Sequence, residues 1–306
     1  MNVRRVHAGP AGGFDVHRVA GEEPGRRVVV LGGVHGDETE GALAAGRLAF
    51  QPPSISRGVL EIVPVCHEAA FAADSRVSPI DGENLARVFP GDGGGTPTSR
   101  LAHHIYAEVL EGADLLIDLH TSGRNYDMPF LAGFRGESRD AGTLGERAAR
   151  AFGADFVWRH QGRSVGRTTS VVDQSIYCEA PGSGRTDHGT VDAYVTGVER
   201  VLDELEMIVG PPRRSTPQVR VTGGGDLDRD MISVSRGGVF LSFVGRGERI
   251  ESGRLLGSVI DVAGRTLEDL FAPSAGYVMA LKGRSPVRPG DLVICLAAAD
   301  GSSEPS

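Results

Sequence analysis

The sequence is poor in the features that mark several broad protein classes. It holds three cysteines, Cys66, Cys178 and Cys295, in 306 residues, and no CxxC pair. So odd and sparse a set excludes a disulfide scaffold; it fits buried, reduced thiols and a cytoplasmic setting. No apolar run approaches the roughly 20 residues that span a bilayer. The start "MNVRRVHAGPAGG" carries basic residues with no apolar signal core behind them, so no membrane association is expected. Runs of Lys/Arg interleaved with aromatics are missing and the formal net charge is -8, which argues against a nucleic-acid surface. The glycine-rich "GDGGGTP" at 91–97 is not followed by Gly-Lys-Ser/Thr, which excludes a phosphate loop. No tandem repeat is present.

What the sequence does have is alternation. "RRVVVLGG", "GVLEIVPVC", "ADLLIDLH", "DFVWRH" and "QSIYCEA" read as strands. "TEGALAAGRLAF", "TSRLAHHIYAEVLEG", "TLGERAARAFGA" and "TVDAYVTGVERVLDELEMIVG" read as helices. In the second of these Leu101, Ile105 and Val109 recur every four residues, Thr98 or Ser99 caps the start and Gly112 the end. Apolar strands alternating with helices imply an α/β fold, a parallel or mixed sheet flanked by helices. The character changes at "GPPRRSTPQ", a Pro-rich linker. Beyond it, short strands between glycine turns predict a small all-β barrel or barrel-sandwich domain. The expected boundaries are a catalytic domain over 1–210, a β-domain over 217–300 and a disordered tail over 301–306.

"LGGVHGDETEG" places His35, Asp37 and Glu38 directly after the first strand. His120 closes "ADLLIDLH" and Glu179 closes "QSIYCEA". In an open parallel sheet, ligands gather beyond the carboxyl ends of the strands, so these residues converge on one edge. Two histidines and one carboxylate meet the count for a catalytic zinc, which keeps one position for water and lowers its pKa to about 7. Glu179 is then the carboxylate left over to move the proton. Taken singly each has a plainer reading: a solvated turn, a strand-end histidine, a surface acid. Asp118 shares a strand face with His120 and reads as an outer partner of that ring or as a loop cap. His103 and His104 are adjacent on a helix and cannot form an i, i+4 ligand pair. His160 lacks ligand-like spacing, and His188 is at most a pocket-lining residue.

At these positions the sequence resembles the succinylglutamate desuccinylase/aspartoacylase family, relatives of the zinc carboxypeptidases. "GGVHGDETEG" resembles the family's first metal motif and "DLHTSG" its second; "SPIDGENLARVFPG" and "IYCEAPGSGR" resemble its substrate and catalytic segments. "APSAGYVMAL" and "VRPGDLV" resemble the small β-domain that members carry, without a lipoyl-type lysine. The resemblance implies one zinc per chain on His35, Glu38 and His120, with Glu179 as general acid/base. It makes Arg87 an anchor for a substrate carboxylate or a group that polarises a carbonyl, Asn84 a partner orienting a ligand histidine, and Arg76 a guanidinium facing the developing oxyanion. The family's asparagine before this arginine is replaced by Ala86, removing a hydrogen bond worth about 0.5–1.5 kcal/mol. Arg124 and Arg185 are candidates to hold the carboxylate instead. The implied activity is zinc-dependent hydrolysis of a linear amide, releasing an acetyl, succinyl or similar group from a small-molecule N-acyl amino acid. A zinc carboxypeptidase and a non-catalytic metal- or ligand-binding module are the rivals; a homo-oligomer stays open.

Overall fold

The computed structural model describes residues 2–136, 142–162, 165–182, 184–209, 218–224 and 227–301. The expected Pro-rich linker at 210–217 and nearly all of the expected tail, 302–306, lie outside them, as does Ser183 of the last family-like segment.

A long mixed sheet organises the chain. Its strands are β1 (Asn2–His7), β2 (Gly13–Ala20), β3 (Glu23–Leu31), β4 (Arg57–Val63), β5 (Leu115–Leu119), the short β6 (Tyr126–Asp127), β7 (Leu131–Arg135), β8 (Phe156–His160), β9 (Ser175–Glu179) and β10 (Val219–Thr222). The spatial order is β1-β2-β4-β3-β5-β9-β7-β8-β10. β4, β3, β5 and β9 run parallel, which points the ends of β3, β5 and β9 in one direction. The sheet is mixed because β7 runs antiparallel to β9 and the β1–β2 hairpin caps the other edge. Neither the hairpin nor β7 stands out in the sequence: β1 is mostly polar and exposed, with its two valines three residues apart.

The helices are α1 (Thr39–Phe50), α2 (Glu68–Ala72), α3 (Pro97–Ile105), α4 (Leu144–Phe152) and α5 (His188–Glu204). Alternate residues of a strand face opposite sides of a sheet. Val28, Val30, Leu115 and Ile117 therefore join a core under α1, α4 and α5. Val29, Leu31 and Leu116 join a second core under α3 and the hairpin. Each fully buried leucine or valine contributes about 1.5–3 kcal/mol, and this two-sided burial is why these strands read as continuous apolar runs. Three expected details change. α3 is capped by Thr96, whose hydroxyl accepts the Ser99 N–H, two residues ahead of the nearest expected cap, with Pro97 as its first residue. The expected continuation of this helix from Ile105 to Gly112 winds as a wider π-helix over Tyr106–Leu110. α5 stops at Glu204, because Glu206 takes a left-handed backbone conformation (φ 56°) and leads Ile208 into a bridge with Ile55.

The C-terminal region is all β: β11 (Ile232–Ser233), β12 (Gly238–Ser242), β13 (Arg249–Ile250), β14 (Leu255–Ile260), β15 (Thr266–Phe271), β16 (Gly276–Lys282), β17 (Pro286–Val287) and β18 (Leu292–Ala299). β15-β14-β12-β17 form a separate sheet over their own core of Phe240, Leu256, Val259 and Val293. β10 joins the two regions, pairing parallel with β8 and antiparallel with β18. Trp158, Met279 and Cys295 are buried at this junction. No helix among the described residues is long and apolar enough to cross a membrane.

Candidate active site

His35 lies four residues past β3, in the turn that starts α1. Glu38 occupies the N-cap position of α1 yet makes no side-chain cap bond. Its carboxylate turns inward: Oε1 lies 2.8 Å from His35 Nδ1, and Oε2 lies 2.8 Å from His120 Nδ1 and accepts the Thr121 N–H at 3.2 Å. An N-cap bond is worth about 1 kcal/mol, so the helix forgoes that stabilisation to hold this carboxylate in place. His120 directly follows β5, and its carbonyl accepts the Tyr194 hydroxyl from α5. The loops after β5 and β9 touch backbone to backbone. A Cβ on Gly182 would sit 2.1 Å from the Gly123 carbonyl, which explains the glycine in "EAPG"; Gly123 in "DLHTSG" takes a left-handed backbone conformation (φ 57°) against the Asp37 carboxylate.

The outer nitrogens of both rings are also held. His35 Nε2 lies 3.0 Å from Asn84 Oδ1, and the Ala86 N–H donates to that same oxygen, which fixes the amide's orientation. His120 Nε2 lies 3.0 Å from Asp118 Oδ2, an ion-pair approach without well-aligned hydrogen-bond geometry. Each ring therefore faces an oxygen acceptor on both sides, while a neutral imidazole has one N–H. The inner nitrogens and Glu38 need cations between them, protons or a metal. With the outer nitrogens committed to Asn84 and Asp118, the inner pair and Glu38 are a donor set that fits zinc. Among the described residues these three form the one metal-type cluster, with ligand atoms within 4.8 Å of one another.

The electrostatics agree. Burial works against ionisation of Glu38, but His35 and His120 overcome it and hold the carboxyl well below its usual range. His120 is likewise driven up by Asp118 and Glu38 against its burial. His35, desolvated and beside Arg76, is pushed down. The Arg76 guanidinium donates to Glu38 Oε1 at 2.7 Å and lines the same cavity.

Glu179, the last residue of β9, faces this cavity beside His35 and His120. Burial first, then the Glu38 charge, pushes it up to about 8. Its Oε2 is buried and has no hydrogen-bond partner among the described residues. Arg87 also lines the cavity, where its Nε donates to Asp228 Oδ2 at 3.0 Å. Ala86 is buried in the wall.

Other expected residues lie elsewhere. Arg124, ion-paired to Asp74, and Arg185 line a separate cavity behind the His35–Glu38 turn. His188 is not in the pocket; its side chain is 80% exposed beside Asp192 on α5. Four residues went unforeseen. Tyr177 sits two positions before Glu179 on the same strand face, and its hydroxyl donates to His160 Nε2 at 2.5 Å. His160 closes β8, and its Nδ1–H donates to the Gly224 carbonyl at 3.0 Å. These two were within reach of strand-end logic. Arg167 and Asp228 were not: they sit on turns with no periodicity.

A helix-flanked mixed sheet whose strand ends gather two histidines and two glutamates defines the class, an α/β protein with a metal-type centre at its carboxyl edge. The chain belongs to the succinylglutamate desuccinylase/aspartoacylase family, whose catalytic domain matches residues 24–205. Over 135 residues it is 35% identical to the N-alpha-acetyl-L-2,4-diaminobutyric acid deacetylase of Halomonas elongata, a match covering 44% of this chain and 40% of that relative's length. Its fold is shared with a succinylglutamate desuccinylase/aspartoacylase of Rhodobacter sphaeroides (TM-score 0.84, 27% identity, 98% of this chain and 96% of the other). It is shared equally with the product-bound ectoine utilization protein EutE (DoeB) of Ruegeria pomeroyi (TM-score 0.83, 26% identity, 94% and 89%).

Proposed function

We propose that the chain is a zinc-dependent deacylase that cleaves the amide of an N-acyl amino acid. The observation that carries this reading is the unpartnered Glu179 oxygen in the cavity beside His35 and His120. A binding module has no use for a buried carboxylate kept without a partner; a proton carrier has. Its position at about 8 puts proton uptake and release near neutral pH.

In this reading residues 1–210 carry the chemistry, and 217–300 complete the substrate pocket through the segment around Gly224 and Leu227. Zinc held by His35, Glu38 and His120 would supply a Lewis acid that acidifies water and polarises a carbonyl. Asn84 and Asp118 keep the inner nitrogens of the two rings turned towards that site. Glu179 takes the proton of the attacking water at its unpartnered oxygen and passes it to the departing amine nitrogen. Arg76 offers a permanent positive charge to the carbonyl oxygen as it becomes anionic. Arg87 receives a substrate carboxylate. The similarity to a deacetylase of an N-acetyl diamino acid supports that substrate class and makes such a compound the first to try.

The test is amine release by the zinc-supplied protein from acetyl and succinyl amino acids, set beside C-terminal release from peptides. Activity on the N-acyl amino acids is expected, with kcat/KM rising on the acid side. A nearby cation favours the carboxylate, so the apparent pKa of that limb lies at or below about 8. Turnover of peptides alone, or a profile flat from about pH 5 to 9, contradicts the reading.

A further inference from the structure

Two arginines meet in the wall of the cavity that Glu179 also lines. Arg87 ends a short turn after Asn84, and Arg167 precedes the turn Thr168–Ser170. The backbone fixes them side by side. The Phe89 N–H donates to the Gly166 carbonyl at 3.0 Å, and a Cβ on Gly166 would fall 2.6 Å from the Arg87 carbonyl. Two guanidinium groups this close repel each other, and Arg87 is also desolvated, so both forces work against its charge. Such a pair calls for an anion.

The anion present is the protein's own. Asp228 Oδ2 lies 3.0 Å from Arg87 Nε and 3.5 Å from Arg167 Nη2. The three groups differ in freedom. The arginine side chains are 29% and 18% exposed, that of Asp228 62%. Asp228 reaches the arginine pair from the segment after β10, between the cavity-lining residues Leu227 and Arg229, and Trp158 and His160 donate to the carbonyls of Gly223 and Gly224 in the same segment. The cations are built into the wall, and the carboxylate approaches them from the solvent side.

We propose that Asp228 is an internal placeholder for the substrate carboxylate and thereby sets specificity: the arginine pair binds acids that can exchange with it. This rests on the deacylase reading for the identity of the acid, but not for the exchange itself. One carboxylate replaces another, so no net charge is buried. An exposed ion pair is weak, so the exchange changes affinity by only about three- to tenfold.

The experiment is calorimetry of the zinc-supplied full chain with succinate and with its neutral diamide, succinamide, at fixed salt. Asp228→Asn keeps the shape and removes the charge. It should tighten succinate about three- to tenfold and leave succinamide unmoved. That gain should vanish in an Arg167→Gln background, as a shared partner requires. Asp228→Ala, checked for an unaltered melting temperature, should repeat the result. In turnover, KM for an N-acyl amino acid should fall, while KM for its α-carboxamide should not. Weaker or unchanged succinate binding in Asp228→Asn overturns the proposal, as does an equal shift for both ligands. Absence of all N-acyl amino acid turnover by the wild type would instead sink the deacylase reading, and the succinate result would still decide the placeholder.

Discussion

The two sides of the one cavity are built differently. On the metal side His35, Glu38 and His120 are almost fully buried, each ring nitrogen faces an oxygen, and the residues sit at or just past strand ends. On the substrate side the wall comes from turns: Arg87, Arg167 and the segment around Asp228. Reacting groups need fixed positions, which a sheet edge provides, while recognition needs surfaces that vary, which loops provide. Substitutions on the metal side should therefore abolish function, whereas those on the substrate side should tune it.

The sharpest break between the two sides is expected at Glu179. Glu179→Gln should lower kcat/KM by about 10²–10⁴-fold while zinc content stays the same. Loss of zinc together with activity would mean that Glu179 is a ligand and not the proton carrier.

His160 is an acid-sensitive element of the substrate side. Burial pushes it down to about 4, so between pH 6.5 and about 4 the folded chain keeps it neutral while the unfolded chain takes up a proton. Stability contributed by the neutral ring is thus complete above 6.5 and is lost as pH falls through that window, by up to about 3 kcal/mol. Denaturant titrations of wild type and His160→Gln over this range should diverge below pH 6.5; parallel curves would show that another group dominates.

Asp118→Asn tests how the metal side is held. It removes the charge behind His120 and should weaken zinc affinity about 10- to 100-fold, read by competition with a chelator. The smallest effect should come from Arg124→Gln and Arg185→Gln. Both line the separate cavity, so kcat/KM should change less than about twofold, within the usual range for surface positions. A large loss in either would place substrate on the far side of the His35–Glu38 turn.

The same division decides what was legible in the sequence. The metal side could be read because near-continuous apolar runs mark the inner strands β3 and β5, and polar residues at the ends of such strands and of β9 project one way. The sheet's mixed character was half visible: β7 is short, and its "LAGFR" carries a glycine, so no pattern shows that it runs backwards against β9. Thr96 was overlooked as the α3 cap because Thr98 and Ser99 are equally good capping residues and only Pro97 distinguishes them. Arg167 and Asp228 are 61 positions apart in sequence and meet only through the joining of β10 to β8. Nothing local encodes such a meeting; resemblance pointed to Arg87, and only the proximity of Arg124 and Arg185 to the metal and catalytic motifs suggested those two.

The central claim is that "GGVHGDETEG" leaves its strand to place His35 and Glu38 on a metal. Elemental analysis of the purified wild type and of a His35→Ala/Glu38→Ala double variant tests it most directly. About one zinc per chain in the wild type, lost in the double variant, is the result the account predicts. No metal in either protein, even after zinc is supplied, would contradict it.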